Sequence, residues 1–212
     1  MSKKAKNIVA LILNALIIIF ELAAFTIAIP ELGWSNLLYY TEWSNFILML
    51  AAIIYLVYLI RSLSGIKTKV PGWLHSLKLC ATLSVAITFI VVVTVLSWTT
   101  RYGLWTLLTH SSMIFFHTLC PICAIIGYLF FEEHKLKEEK LILKALVFTI
   151  TYAAIFLPLN ILKVVEGPYP FLMVYKQPTW ASILWIVIIL GGATLLAKAF
   201  ISTKNIINKS KI

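Results

Sequence analysis

Long apolar runs alternate with short polar breaks along this chain. Six runs stand out, over residues 8–30, 43–60, 77–98, 113–131, 141–162 and 180–200. Each is close to the roughly 20 apolar residues that a helix needs to cross the hydrocarbon core of a bilayer. Hydrocarbon forces the backbone to satisfy its hydrogen bonds internally, so only helices or a closed barrel can span it. The runs are continuous rather than alternating, which predicts helices and not barrel strands. The expected fold is all-α: an integral membrane bundle of six transmembrane helices, forming one domain over residues 1–212. The connections are short, without repeats or low-complexity tracts. The longest outer one contains Glu166-Gly167-Pro168-Tyr169-Pro170-Phe171, where two prolines and a glycine prevent a regular helix.

Composition agrees with the pattern. Hydrophobic residues make up 61% of the chain and charged residues 12%, against about 25% charged in a typical soluble domain. The net charge of +10 does not point to nucleic acid, because the basic residues cluster in the breaks between runs. Lys3, Lys4 and Lys6 precede the first run, and Arg61, Lys67, Lys69 and Lys78 lie between the second and third. Lys135, Lys137, Lys140 and Lys144 surround the next break on that side, and Lys198, Lys204, Lys209 and Lys211 close the chain. The other side carries only Arg101, Lys163 and Lys176. Lys and Arg accumulate on the cytoplasmic side, so both termini are expected inside, in a multi-pass protein of the cell membrane.

The start, Met-Ser-Lys-Lys-Ala-Lys, resembles a signal peptide, but the run after it exceeds the 7–15 residues or so of a secretory core. It is expected to remain as an uncleaved first span. Trp34, Trp43, Trp73, Trp98, Trp105 and Trp180 fall near run ends, as an interfacial belt requires. Trp185 lies inside the last run and fits no belt.

Polar groups inside apolar runs are costly and therefore candidates for function. Thr41, Ser44 and Asn45 lie at i, i+3 and i+4 where the second run enters from outside, so they share a face if the helix begins by Thr41. The alternative is Thr41 as a helix N-cap. His117 lies in the fourth run, which also enters from outside. His110, seven residues earlier, is expected on the same face and about 10 Å nearer the surface. Glu21 interrupts the first run in its outer half. It either orients or charges an imidazole, or makes a structural bond between helices. A threonine hydroxyl becomes a useful nucleophile when an imidazole takes its proton and a third group orients that imidazole.

Cys80, Cys120 and Cys123 are all within apolar runs and make no disulfide framework. Cys120-Pro121-Ile122-Cys123 has C-x-x-C spacing, but an apolar helix disfavours thiolates; Pro121 is expected to kink the helix. No metal-ligand spacing and no phosphate-binding glycine loop is present, so no cofactor is expected.

Three features together resemble the androgen-induced-protein family of multi-span membrane hydrolases. They are Tyr39-Tyr40-Thr41 followed by Trp43-Ser44-Asn45, His117 with Pro121 close behind, and Tyr169-Pro170-Phe171 before the last run. The resemblance implies Thr41 as nucleophile and His117 as general base in hydrolysis of fatty acid esters of hydroxy fatty acids. Membrane lipids and a fatty-acyl ester are then the expected partners, with no nucleic acid. Glu21, Ser44, Asn45, His110 and Tyr169 are expected to support the catalytic pair or line its pocket. Two other readings stay open: a small-solute or proton-coupled transporter or ligand-binding membrane protein using Glu21, His117 and Asn160, and a thiol oxidoreductase.

Overall fold

The computed structural model describes residues 1–133 and 141–209. Lys135, Lys137, Lys140 and Lys211 of the predicted basic clusters lie outside the described residues. Among those described, the chain is helical without strands. Five helical segments are long and apolar enough to cross a membrane: Lys3–Leu38, Tyr40–Leu63, Gly72–Thr99, Leu141–Ile161 and Thr179–Asn208. The predicted span at 113–131 is shorter, an apolar helix over Phe115–Phe131.

Helix α1 (Lys3–Leu32) starts at Ser2, whose side chain accepts from the Ala5 N–H, and stops at Gly33, where φ is +54°. Its buried residues are Ala10, Asn14, Ile17, Glu21, Ala24 and Ala28. That three–four spacing is a single stripe along one face. Alanines in it let α2 (Tyr40–Leu63) approach closely. A 3₁₀ turn, Gly33–Leu38, joins the two, and the Asn36 amide fastens it by donating to the carbonyls of Ala28 and Gly33.

Helix α3 (Gly72–Val91) is the centre of the bundle. Its apolar window is 67% buried, against 17–28% for the other four long segments. It packs against α2, α6 (Cys120–Ile126), α7 (Leu141–Ile161) and α8 (Thr179–Lys209). The outward faces of those neighbours expose Ile, Leu and Val, such as Ile53, Val57, Val147 and Val187. Only an apolar surrounding makes such surfaces favourable.

Beyond α3 a π-helical turn, Val92–Leu96, leads to the short α4 (Ser97–Thr99) and to α5 (Gly103–Thr109). The chain then reverses at Ser111, a non-glycine residue with φ of +52°. The next helix begins with a π-helical turn, Phe115–Leu119, passes into α6, and ends in a second, Gly127–Phe131. Pro121 accounts for the first of these. Proline has no N–H and its ring clashes with the carbonyl four residues back, here that of His117. The turn widens, and the Cys120 N–H bonds the Phe115 carbonyl five residues back. Wider turns also shorten the helix, so it reaches less far than its neighbours.

Two lysines of the predicted basic clusters, Lys78 and Lys204, have fully buried side chains. The Lys78 ammonium is 3.0 Å from the Glu132 carboxylate and donates to the Asn14 side-chain oxygen Oδ1 at 2.9 Å. Asn14 in turn donates to Glu132 at 2.8 Å. Lys204 donates to the backbone carbonyls of Tyr128, Leu129 and Glu132 at 2.6, 2.9 and 2.6 Å. It thereby caps the end of the Gly127–Phe131 turn, where carbonyls have no helical partner. A lysine beside an apolar run reads as a flank, but here Lys78 lies on the enclosed helix α3 and Lys204 is folded onto the end of the Gly127–Phe131 turn.

Candidate functional site

The site is built on the first turn of α2. Tyr39 is the N-cap and makes no side-chain capping bond, so Thr41 lies inside the helix and is not its cap. Two tyrosines pin this turn to the bundle. Tyr40 and Thr149 share a hydrogen bond between hydroxyls at 2.8 Å, and Tyr152 donates to the Leu38 carbonyl at 2.6 Å. The segment leading into Thr41 is therefore tied to α7 at Leu38 and at Tyr40, and Thr41 is 6% exposed.

Ser44 and Asn45 turn back onto Thr41 and share its face. The Ser44 hydroxyl donates to the Thr41 carbonyl at 2.9 Å and lies 3.3 Å from the Thr88 hydroxyl of α3. The Asn45 amide donates to the Thr41 carbonyl at 2.8 Å and to the Phe116 carbonyl at 3.3 Å. That second bond ties α2 to the residue directly before His117.

The nearest partner of the Thr41 hydroxyl is Tyr169. The two hydroxyl oxygens are 3.2 Å apart, and the Thr41 N–H donates to the same phenol oxygen at 3.3 Å. Tyr169 comes from the irregular loop before α8. It is 7% exposed, stacked on Phe171 and in edge contact with Tyr39. Burial, and after it the nearby Glu42 carboxyl, push its phenol above the usual range, so it stays protonated and can donate. Gly167 lets the loop close. A Cβ there would meet the Leu172 backbone at 2.8 Å.

Thr41 and Tyr169 lie in the wall of a cavity of about 90 Å³ between α2, α3, α7 and α8. The wall is almost wholly apolar, with Phe171, Trp185, Ile186 and Ile189 prominent. Trp185, which fitted no interfacial belt, packs against Phe171 here, with ring centroids 5.6 Å apart.

His117 is in the middle of the Phe115–Leu119 turn, 8% exposed. Its Nδ1 is 2.7 Å from the Leu107 carbonyl, and the Thr118 hydroxyl donates to the Leu108 carbonyl at 2.8 Å. Both side chains thus satisfy the carbonyl end of α5, which folds over this helix. A carbonyl can only accept, so Nδ1 carries the proton of the neutral ring and Nε2 keeps its lone pair. Among the described residues no hydrogen bond joins Thr41 to His117, and His117 is not in the cavity wall.

Glu21 is fully buried on α1 against the Cys120 thiol, one turn from His117, and neither carboxyl oxygen has a well-aligned hydrogen-bond partner. Glu42 is an acid that sequence reasoning passed over. It is buried beside Thr41 and close enough to Glu21, Tyr152 and Tyr169 to interact electrostatically. Adjacency to Thr41 in the sequence was the available signal. His110 is not on the helix of His117. It caps the end of α5, before the reversal at Ser111, and is exposed.

Asn160, one of three residues of the transport reading, donates to the Val165 carbonyl and accepts from the Val174 N–H, which shapes the loop carrying Tyr169. Cys80, Cys120 and Cys123 are free thiols. Among the described residues no cluster of three or more His, Cys, Asp or Glu side chains could hold a metal. No family model, no curated protein and no solved structure matches this chain. Function must therefore be argued from the site itself.

Proposed function

We propose that this chain is an intramembrane lipid-ester hydrolase of the androgen-induced-protein type, with Thr41 as nucleophile and His117 as general base. The carrying observation is the Thr41 hydroxyl, buried against the Tyr169 phenol in the wall of an apolar cavity. A hydroxyl there meets an acyl chain and little water. The protein crosses the cell membrane six times with both termini in the cytoplasm, the short Phe115–Phe131 helix being the fourth crossing. The basic residues on the described surface opposite the Thr41 end, Lys3, Lys67 and Lys69 among them, support that orientation.

In the proposed cycle the Thr41 Oγ attacks the ester carbonyl while its proton passes to His117 Nε2. The Tyr169 O–H, together with N–H groups of the first turn of α2, stabilises the oxyanion. Collapse breaks the C–O bond, the leaving alcohol takes the proton from His117, and an acyl-threonine remains. Water, deprotonated by His117, then releases the fatty acid and restores Thr41. Thr41 and His117 come together when substrate displaces Tyr169 from the hydroxyl; catalytic hydrogen bonds are often long until substrate binds. The π-helical turn around His117 supports the assignment, since such turns concentrate at functional sites.

The test is turnover of a fluorogenic fatty-acyl ester by the purified protein in detergent. Thr41→Ala and His117→Ala are each expected to reduce kcat by at least about 10³-fold. Hydrolysis by Thr41→Ala at the wild-type rate would overturn the proposal. Uptake of a solute into liposomes without ester turnover would favour transport instead.

A further inference from the structure

Midway along α1 a polar layer crosses the bundle between two apolar ones. On one side Ile17, Leu48 and Cys120 belong to a single apolar cluster, and on the other Ala24, Ala28 and Phe116 form a second. Glu21 is one turn beyond Ile17, Asn45 one turn before Leu48, and Phe116 one turn before Cys120. The Gly33–Leu38 turn makes α1 and α2 antiparallel. Helix α1 is antiparallel to the helix of His117 as well, since Asn14 meets Glu132 while Phe25 meets Phe116. The three steps therefore lead into the same layer.

The oxygens of this layer are short of donors. Glu21 is fully buried, and neither of its carboxyl oxygens has a hydrogen-bond partner among the described residues. The Cys120 thiol beside it is a weak donor. Asn45 is fully buried too. Its amide nitrogen serves the Thr41 and Phe116 carbonyls, and its Oδ1 has no partner among the described residues. Glu42, one turn before Asn45, borders the layer close enough to interact electrostatically with Glu21, and its Oε2 is likewise without a partner. All four atoms are acceptors, and a buried acceptor without a donor is costly. The π-helical turn adds a fifth oxygen. The Cys120 N–H bonds the Phe115 carbonyl and Pro121 has no N–H, so the Phe116 carbonyl is released from its helix towards Asn45.

Acceptors alone call for a positive charge. No Lys or Arg pairs with either acid among the described residues, and the buried Lys78 is committed to Glu132 and Asn14. Two neighbouring buried carboxyls do not both ionise, so one keeps its proton and the layer carries a single negative charge. Hard oxygen ligands around one negative charge suit a small alkali cation, and interrupted helices in membranes coordinate such ions through freed carbonyls. We infer that Glu21, Asn45 and the Phe116 carbonyl, with Glu42 at the edge, form a binding site for one sodium ion. None of these residues lines the cavity at Thr41, so the inference does not rest on ester hydrolysis.

The full chain in neutral detergent, at fixed pH and ionic strength, is titrated with sodium chloride in place of N-methylglucamine chloride, reading the thermal unfolding midpoint. An ion bound only by the folded chain raises that midpoint by mass action. The expected result is a saturable rise. Glu21→Gln keeps the shape and removes the charge, so it is expected to weaken the apparent sodium affinity at least about tenfold. Glu31→Gln, exposed near the end of the same helix, is expected to leave it unchanged. Should Glu21→Gln not fold, saturable binding of radioactive sodium to the wild-type chain, competed by unlabelled sodium and not by N-methylglucamine, supplies the test. No sodium-dependent rise, or no saturable binding of the label, would overturn the inference and leave Glu21 a protonated acid. A sodium effect that survives Glu21→Gln, or an equal loss in Glu31→Gln, would overturn it too.

Discussion

Tyr169→Phe separates what holds the site together from what makes it work. The substitution keeps the ring, with its edge contact to Tyr39 at 5.9 Å and its stack on Phe171 at 5.2 Å. It removes one oxygen, which lies 3.2 Å from Thr41 Oγ1 and 3.3 Å from Thr41 N. Both distances are at or beyond the long end of the usual hydrogen-bond range. Each bond then contributes about 0.5 kcal/mol, the low end for intramolecular hydrogen bonds, and about 1 kcal/mol is lost in all. That corresponds to a fall of roughly 2–4 °C in Tm for a chain of this size. An oxyanion donor contributes far more, about 2.7–4 kcal/mol, or about 10²–10³-fold in kcat. The assay is Tm and ester-hydrolysis kinetics on the same preparation of Tyr169→Phe. The expected outcome is a small fall in Tm, a kcat reduced by two orders of magnitude or more, and a KM changed far less. A kcat within about threefold of wild type would remove Tyr169 from the chemistry and leave it a packing residue.

Other outcomes follow from the same contacts. Glu132→Ala leaves the buried Lys78 ammonium without its counter-charge and is expected to cost about 3–5 kcal/mol, whereas Lys78→Met with Glu132→Leu costs much less; equal losses in an unfolding cycle would contradict the buried pair. Gly167→Ala forces the Leu172 backbone away from a Cβ at 2.8 Å and is expected to lose about 1–3 kcal/mol of stability, with hydrolysis falling more than Tyr169→Phe alone produces; unaltered kinetics would show that the loop does not position Tyr169. Trp185→Ala enlarges the apolar cavity, so kcat/KM measured over esters of increasing acyl length is expected to shift towards longer chains; an unshifted series would place the acyl chain elsewhere.

Hydropathy made the long helices legible, because each must bury its own backbone in an apolar medium. The i, i+3, i+4 spacing put Thr41, Ser44 and Asn45 on one face, and the hydrogen bonds of Ser44 and Asn45 to the Thr41 carbonyl realise it. The stripe from Ala10 to Ala28 on α1 was readable in the same way and carries both Asn14 and Glu21. What stayed hidden depends on tertiary packing. The reversal at Ser111 needs a left-handed residue that no glycine announces, so His110 looked helical and is not. Lys78 and Lys204 looked like flanks because local sequence does not reveal the tertiary partners that bury them, Glu132 and Asn14 for the first and the carbonyls of Tyr128, Leu129 and Glu132 for the second. The contact between Tyr169 and Thr41 joins residues 128 apart, and only the closed loop brings them together.

The central claim, that Thr41 forms a covalent acyl intermediate, is tested most directly by mass spectrometry of the protein treated with a long-chain fluorophosphonate. Adduct mapping is expected to find one label per chain, on the peptide containing Thr41, with none in Thr41→Ala. A label on any other residue, persisting in Thr41→Ala, would contradict the account.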